Sequence, residues 1–224
     1  MNQLGLPFAL NAKMLWRNFR GDNNQQIIAF LVALFEQQTS AVVYLYGAKS
    51  SGKTHLLQGC AFEALERSLR VVYLDFKEEI PNGILNGLED NDWVCIDNVD
   101  CLNTDQQQEL FDLYNRVANT STKLVVSGAV LPGELTLLKD LKTRLSLATI
   151  FCLETLNDKS KKDIIQQQVD DRNLKVDRKI YDYLFKYYSR DLTDLLSAID
   201  QLDKASLQQK NKISIPLVKQ VLDI

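Results

Sequence analysis

Eight residues, Gly47-Ala48-Lys49-Ser50-Ser51-Gly52-Lys53-Thr54, carry the most specific chemistry in the chain. They fill a spacing of glycine, four free positions, glycine, lysine and a hydroxyl residue, between an apolar run and a helical pattern. The glycines let backbone N–H groups curl round a β-phosphate. The helix that follows adds the partial positive charge of its N-terminus. Lys53 can reach the β- and γ-phosphates, and Thr54 can hold Mg2+ through its hydroxyl. Residues 47–54 are therefore expected to bind the phosphates of ADP or ATP, with Gly47, Ser50, Ser51, Gly52, Lys53 and Thr54 as the contact positions.

A second pattern, Val94-Cys95-Ile96-Asp97-Asn98, is an apolar strand that ends in a carboxylate. Paired with the phosphate loop, it puts Asp97 beside Mg2+ at the C-terminal end of a strand, where parallel sheets bind their ligands. Asn98 follows where an active ATPase usually has a second carboxylate to polarise water. An amide carries no charge and accepts a proton poorly. The expectation is a site that binds nucleotide and hydrolyses it slowly; the alternative is that Asn98 is only a turn residue.

These groups need a frame. Continuous apolar runs predict strands at 41–46, 71–75, 93–97, 123–127 and 148–153. Helical patterns at about 53–68 and 104–118 lie between them; in the second, Leu110, Phe111, Leu113, Tyr114 and Val117 share a face. Alternation of this kind means α/β: a parallel sheet covered by helices on both faces. After residue 155 the strands stop. Four amphipathic helices are predicted, at about 158–171, 177–188, 190–207 and 214–223, the last with Pro216 in its first turn. The division expected is an extended tail at 1–10, an α/β nucleotide-binding domain at 11–155 and a small helical lid at 156–224.

Bulk properties exclude other classes. The 224 residues are 46% hydrophobic and 25% charged, with a net charge of −3. No strong field draws nucleic acid or anionic lipid. No apolar run approaches the roughly 20 residues of a membrane helix, and the N-terminus lacks a signal-peptide core, so a cytoplasmic protein without a membrane partner is expected. The single histidine, His55, removes His-based triads and most zinc sites. Cys60, Cys95, Cys101 and Cys152 are read as small buried apolar residues. Arg20-Gly21-Asp22 and Asn119-Thr120-Ser121 spell extracellular motifs with no supporting context.

Loop, acidic strand end, polar fourth-strand end and helical lid together resemble the AAA+ class, and within it the DnaA-related Hda regulators. The resemblance spans nearly the whole chain. It is carried by Gln3-Leu4-Gly5-Leu6-Pro7-Phe8, Phe19–Asn23, Cys95–Val99, Phe111–Arg116, Leu141–Leu145, Asp200–Asp203 and Ile215–Lys219. It implies an AAA+ core with a helical lid. It also implies a regulator that inactivates the replication initiator DnaA by promoting hydrolysis of DnaA-bound ATP while seated on the DNA-loaded sliding clamp, the beta subunit of DNA polymerase III. DNA would then be met only through the clamp, and self-association into a homo-oligomer stays open.

The resemblance also assigns residues. Gln3, Leu4, Leu6, Pro7 and Phe8 match the clamp-binding peptide, which can lay Leu6 and Phe8 in an apolar groove. Arg144 matches an arginine finger that serves a neighbour's γ-phosphate. Ser127 matches the polar sensor at the end of the fourth strand. The second sensor, an arginine in the family, aligns with Thr193; Arg190 lies one helical turn earlier and is the substitute candidate. DnaA's separate DNA-reading domain has no counterpart before Ile224, so unaided origin recognition is not expected. The competing readings are an independent AAA+ ATPase of loader or motor type, disfavoured by Asn98, and a small-molecule P-loop kinase, which leaves Gln3–Phe8 unexplained.

Overall fold

The computed structural model describes residues 10, 11, 14–19, 24–172, 174, 176–209 and 211–224. The chain divides into two compact units, Met1–Glu154 and Thr155–Ile224.

The first unit is built on five strands: β1 (Ala41–Tyr46), β2 (Val71–Asp75), β3 (Trp93–Asp97), β4 (Lys123–Gly128) and β5 (Thr149–Cys152). Their order is β2-β3-β4-β1-β5, and every pairing is parallel. β3 and β4 are buried along their whole length, as strands covered on both faces must be. Side chains alternate between two cores. Val43, Leu45, Trp93, Cys95 and Val125 pack with α1 (Gln25–Leu34) and α2 (Lys53–Glu66). Tyr44, Val94, Ile96, Leu124 and Val126 pack with α3 (Thr104–Val117) and α4 (Lys139–Ser146).

α3 starts with a reciprocal cap: the Asn103 side chain accepts from the Gln106 N–H, and Gln106 returns to the Asn103 N–H. Its buried residues include Leu110, Leu113 and Val117, with Phe111 and Tyr114 packed partly against the same core. At the opposite end of the sheet from the strand C-termini, the Lys123 ammonium is buried. It donates to the carbonyls of Gln37 (2.9 Å), Ser121 (3.0 Å) and Thr39.

The second unit holds α5 (Asp158–Asp171), α6 (Arg178–Tyr187), α7 (Leu192–Gln209) and α8 (Ile215–Leu222) around a core that includes Ile165, Leu184, Leu195, Ile199 and Val218. Arg172 ties α5 to α7 by ion pairs with Asp200 (2.5 Å) and Asp203 (3.8 Å). Among the described residues no helix is long and apolar enough to cross a membrane.

The cysteine reading needs a correction. Cys60 and Cys95 are buried, but Cys101 and Cys152 are exposed. Cys152 ends β5, an edge strand, and Cys101 closes a short 3-10 turn after β3. An apolar-looking neighbourhood in sequence does not bury a residue at an open sheet edge or in a turn beyond a strand.

Candidate functional site

The loop between β1 and α2 turns on two left-handed residues, Ser50 at φ 59° and Gly52 at φ 102°. Such a turn rotates successive N–H groups toward one side, which is the geometry of an anion nest. Gly52 is also the N-cap of α2 and places no side chain over the first-turn N–H groups. Ser51 is buried, and its Oγ has no hydrogen-bond partner among the described residues. Lys53 Nζ lies over the same loop and donates to the carbonyls of Gly47 (2.6 Å) and Ala48 (3.0 Å). Burial lowers its pKa, and the charges of Asp97 and Asp100 oppose that shift. A nest, an uncapped helix start and an ammonium in one turn fit a polyphosphate.

Asp97 lies at the end of β3, fully buried. Its carboxylate accepts hydrogen bonds from three hydroxyls: Ser127 on Oδ1, Tyr73 on Oδ2 at 3.1 Å, and Thr54. Burial raises its pKa, the Ser127 and Thr54 hydroxyls pull it back, and the neighbouring charge of Asp75 raises it further. Thr54 and Asp97 are thus side by side, as one hard cation between them would require.

Asn98 follows in the left-handed region, φ 60° and ψ 54°. Its backbone N–H donates to Ser127 Oγ at 3.1 Å, and its Nδ2 donates to Asp75 Oδ1 at 2.7 Å. Ser127 on β4 therefore touches both Asp97 and Asn98 from the strand next door. The sequence-expected residues Thr54, Asp97, Asn98 and Ser127 form one hydrogen-bonded cluster.

Three contributors were missed by reading the sequence: Asp75, Tyr73 and the segment 14–19. Asp75 ends an apolar strand as Asp97 does, and the parallel register sets the two opposite each other. That resemblance of strand endings was the available signal. The 14–19 segment lies along α2. Trp16 Nε1 donates to the Leu56 carbonyl at 3.1 Å, and His55 Nε2 meets the Leu15 carbonyl at 2.9 Å. The Phe19 ring stands edge-on to His55, with centroids 5.2 Å apart. A Cβ at Gly52 would lie 2.6 Å from that Phe19 ring, and one at Gly59 would lie 2.1 Å from Trp16 Cδ1.

The remaining candidates have surroundings of their own. Arg144 is exposed in the last turn of α4, where its charge reaches Tyr114 of α3. Arg190 and Thr193 are exposed in the second unit, and Arg190 pairs with Asp158 at 3.5 Å. Gln3, Leu4, Leu6, Pro7 and Phe8 lie outside the described residues.

Comparison with known proteins gives this cluster its context. The sequence model of the bacterial DnaA ATPase domain matches residues 10–151. The model described as the Hda lid domain matches residues 158–222. Domain III of the replication initiation protein DnaA from Thermotoga maritima is similar with a TM-score of 0.79 and 21% identity, over 96% of this chain and 98% of that one. AMPPCP-bound DnaA from Aquifex aeolicus is similar with a TM-score of 0.72 and 23% identity, over 89% of this chain and 68% of that one. The RuvB Holliday junction branch migration motor of Thermotoga maritima shares the fold at a TM-score of 0.68 and 18% identity, over 96% of this chain and 72% of that one. The architecture is that of the AAA+ class, a five-stranded parallel sheet with helices on both faces and a helical lid. With its DnaA ATPase match covering more than half of its length, the chain belongs to the bacterial DnaA ATPase-domain family.

Proposed function

We propose that this chain is a nucleotide-holding regulator that inactivates DnaA, acting from the sliding clamp and supplying Arg144 to the ATP bound by DnaA. The observation that carries the reading is the join of two matches on one chain: a DnaA-type ATPase domain at 10–151 followed by an Hda-type lid at 158–222.

In this reading ADP or ATP sits on the 47–54 loop. The N–H groups from Gly47 to Lys53 and the Lys53 ammonium hold its phosphates, and Thr54 and Asp97 hold Mg2+. The AMPPCP carried by a DnaA of similar fold supports a nucleotide here. Mg2+ would neutralise phosphate charge; the protein's share is to orient the phosphates and, through the hydroxyls on Asp97, to offset part of the cost of burying that carboxylate. Asn98 gives no proton acceptor, so intrinsic turnover is slow and the chain works in trans. The same amide weighs against the independent loader or motor reading. The 1–10 tail reaches the clamp through Gln3, Leu4, Leu6, Pro7 and Phe8, residues 11–155 hold nucleotide, and 156–224 form the lid, where Arg190 substitutes for the arginine replaced by Thr193. The protein works in the cytoplasm.

The test is single-turnover hydrolysis of DnaA-bound ATP with and without this protein, on DNA loaded with clamp. Stimulation that needs both protein and clamp is expected. No stimulation, combined with rapid ATP turnover by the protein alone, would replace the regulator with a motor.

A further inference from the structure

We propose that Asp75 decides the chemistry of position 98: it fixes that place as an amide and so keeps the site a holder of nucleotide, not a hydrolase. The inference rests on the nucleotide-binding reading above.

Parallel pairing sets Asp75 opposite Asp97, so the residue after Asp97 leaves β3 beside the end of β2. Its left-handed backbone, φ 60°, carries the Asn98 amide onto Asp75, with Nδ2 2.7 Å from Oδ1. Both partners are held from elsewhere as well. Asp75 Oδ1 also accepts the Lys77 N–H at 3.0 Å, inside its own turn. The Asn98 N–H is bound to Ser127 Oγ at 3.1 Å, and Asn98 is only 5% exposed. Asn98 is thus fixed through both its backbone and its side chain, while Asp75 is half-buried and held at the end of β2 by the Lys77 N–H.

The contact therefore has a fixed polarity. Position 75 accepts and position 98 must donate. A carboxylate at 98 would set two acceptor oxygens at hydrogen-bond distance, with Asp97 as a third charge one residue away. Like charges this close, at a partly buried contact, are unfavourable. One carboxylate is allowed across the pair, and the chain keeps it on β2, bound to the Lys77 N–H. Asp75 acts through residue 98 and is a positioning residue.

Exchanging the two residues tests this. Asp75→Asn with Asn98→Asp keeps the bond with donor and acceptor reversed, and moves the carboxylate next to Asp97. There it can take the proton of a water whose oxygen bonds to the γ-phosphorus. The bond from that phosphorus to the β–γ bridging oxygen breaks, and ADP and inorganic phosphate leave. A general base of this kind contributes about 10²–10⁴ in rate.

Four proteins are compared: the parent, Asp75→Asn, Asn98→Asp and the exchanged pair. Melting temperature is read without nucleotide, binding is read with mant-ATP and Mg2+, and phosphate release is read in single turnover. Asn98→Asp should melt several degrees below the parent and gain little hydrolysis. Asp75→Asn should melt close to the parent, because an amide oxygen still accepts. The exchanged pair should regain most of the lost melting temperature and hydrolyse at least tenfold faster than the parent and Asn98→Asp.

The proposal is overturned if Asn98→Asp is as stable and as active as the exchanged pair. It is also overturned if the exchanged pair fails to fold, or binds mant-ATP and hydrolyses no faster than the parent. Absence of mant-ATP binding by the parent would instead remove the nucleotide reading, and the nucleotide-free melting temperatures would still decide whether Asp75 and Asn98 are paired.

Discussion

Ser127→Ala removes one oxygen and breaks two contacts at once. Ser127 Oγ donates to Asp97 Oδ1 and accepts the Asn98 N–H at 3.1 Å. Ser127 and Asp97 are fully buried and Asn98 nearly so. The bond to a carboxylate belongs to the stronger class, about 1.5–3 kcal/mol, and an orphaned buried N–H costs about 1–3 kcal/mol. Asp97 keeps its Tyr73 and Thr54 donors, which places the first loss at the lower end of its range. The sum is about 3 kcal/mol. For a protein of this size that corresponds to a fall in Tm of about 6–12 °C. Urea unfolding of nucleotide-free protein, followed by circular dichroism, measures it as a lower midpoint at an unchanged m-value. A loss below about 1 kcal/mol would show that Ser127 does not join β4 to the acidic strand end, and the cluster would fall apart as an explanation.

Four further outcomes are expected. Burial lifts the Asp97 pKa, so its contribution to stability is complete below the unfolded carboxylate range, about 3.9, and drains as pH rises through the raised folded value. Asp97→Asn should therefore flatten stability from about pH 4 upward and raise the neutral-pH Tm while Mg2+-dependent nucleotide binding is lost; a steeper pH dependence would refute this. Lys53→Ala should abolish the nucleotide-dependent rise in stability, about 2.7 kcal/mol at 100-fold excess over Kd, and a parent-like shift in thermal melts would contradict the loop assignment. Arg144→Ala and Arg144→Lys should keep the parent's Tm and both lose most stimulation of DnaA-ATP hydrolysis, because lysine lacks the planar fork; full stimulation by either removes Arg144 from the mechanism. Deleting residues 1–9 should abolish clamp pull-down and leave nucleotide binding intact, and equal capture of the truncated protein would remove the tail from clamp binding.

Strands β1 to β4 could be read from the sequence because a strand covered on both faces has to be apolar without interruption. Val94-Cys95-Ile96 needs no partner to declare itself. α5 and α6 were legible from their amphipathic spacing. α1 was not, because Ile27 through Leu34 is apolar on every side and lacks a helical stripe. α4, which carries Arg144, is only eight residues long and offers two buried leucines, Leu141 and Leu145, too little for a period to show. At the site, Lys53, Thr54 and Asp97 have motif spacing and were found. The contacts of Asp75 and Tyr73 with Asn98 and Asp97 depend on strand order and register, which join residues 23 and 24 positions apart. A linear reading has no access to that pairing.

The rings of Trp16 and Phe19 fill the space that side chains at positions 59 and 52 would take. Those two glycines are therefore constrained by aromatic neighbours as much as by the loop's own geometry. The Trp16–Leu56 and His55–Leu15 bonds fasten the 14–19 segment to the first turns of α2. The start of the phosphate-binding helix is thus braced from outside its own loop, by residues 40 positions earlier in the chain.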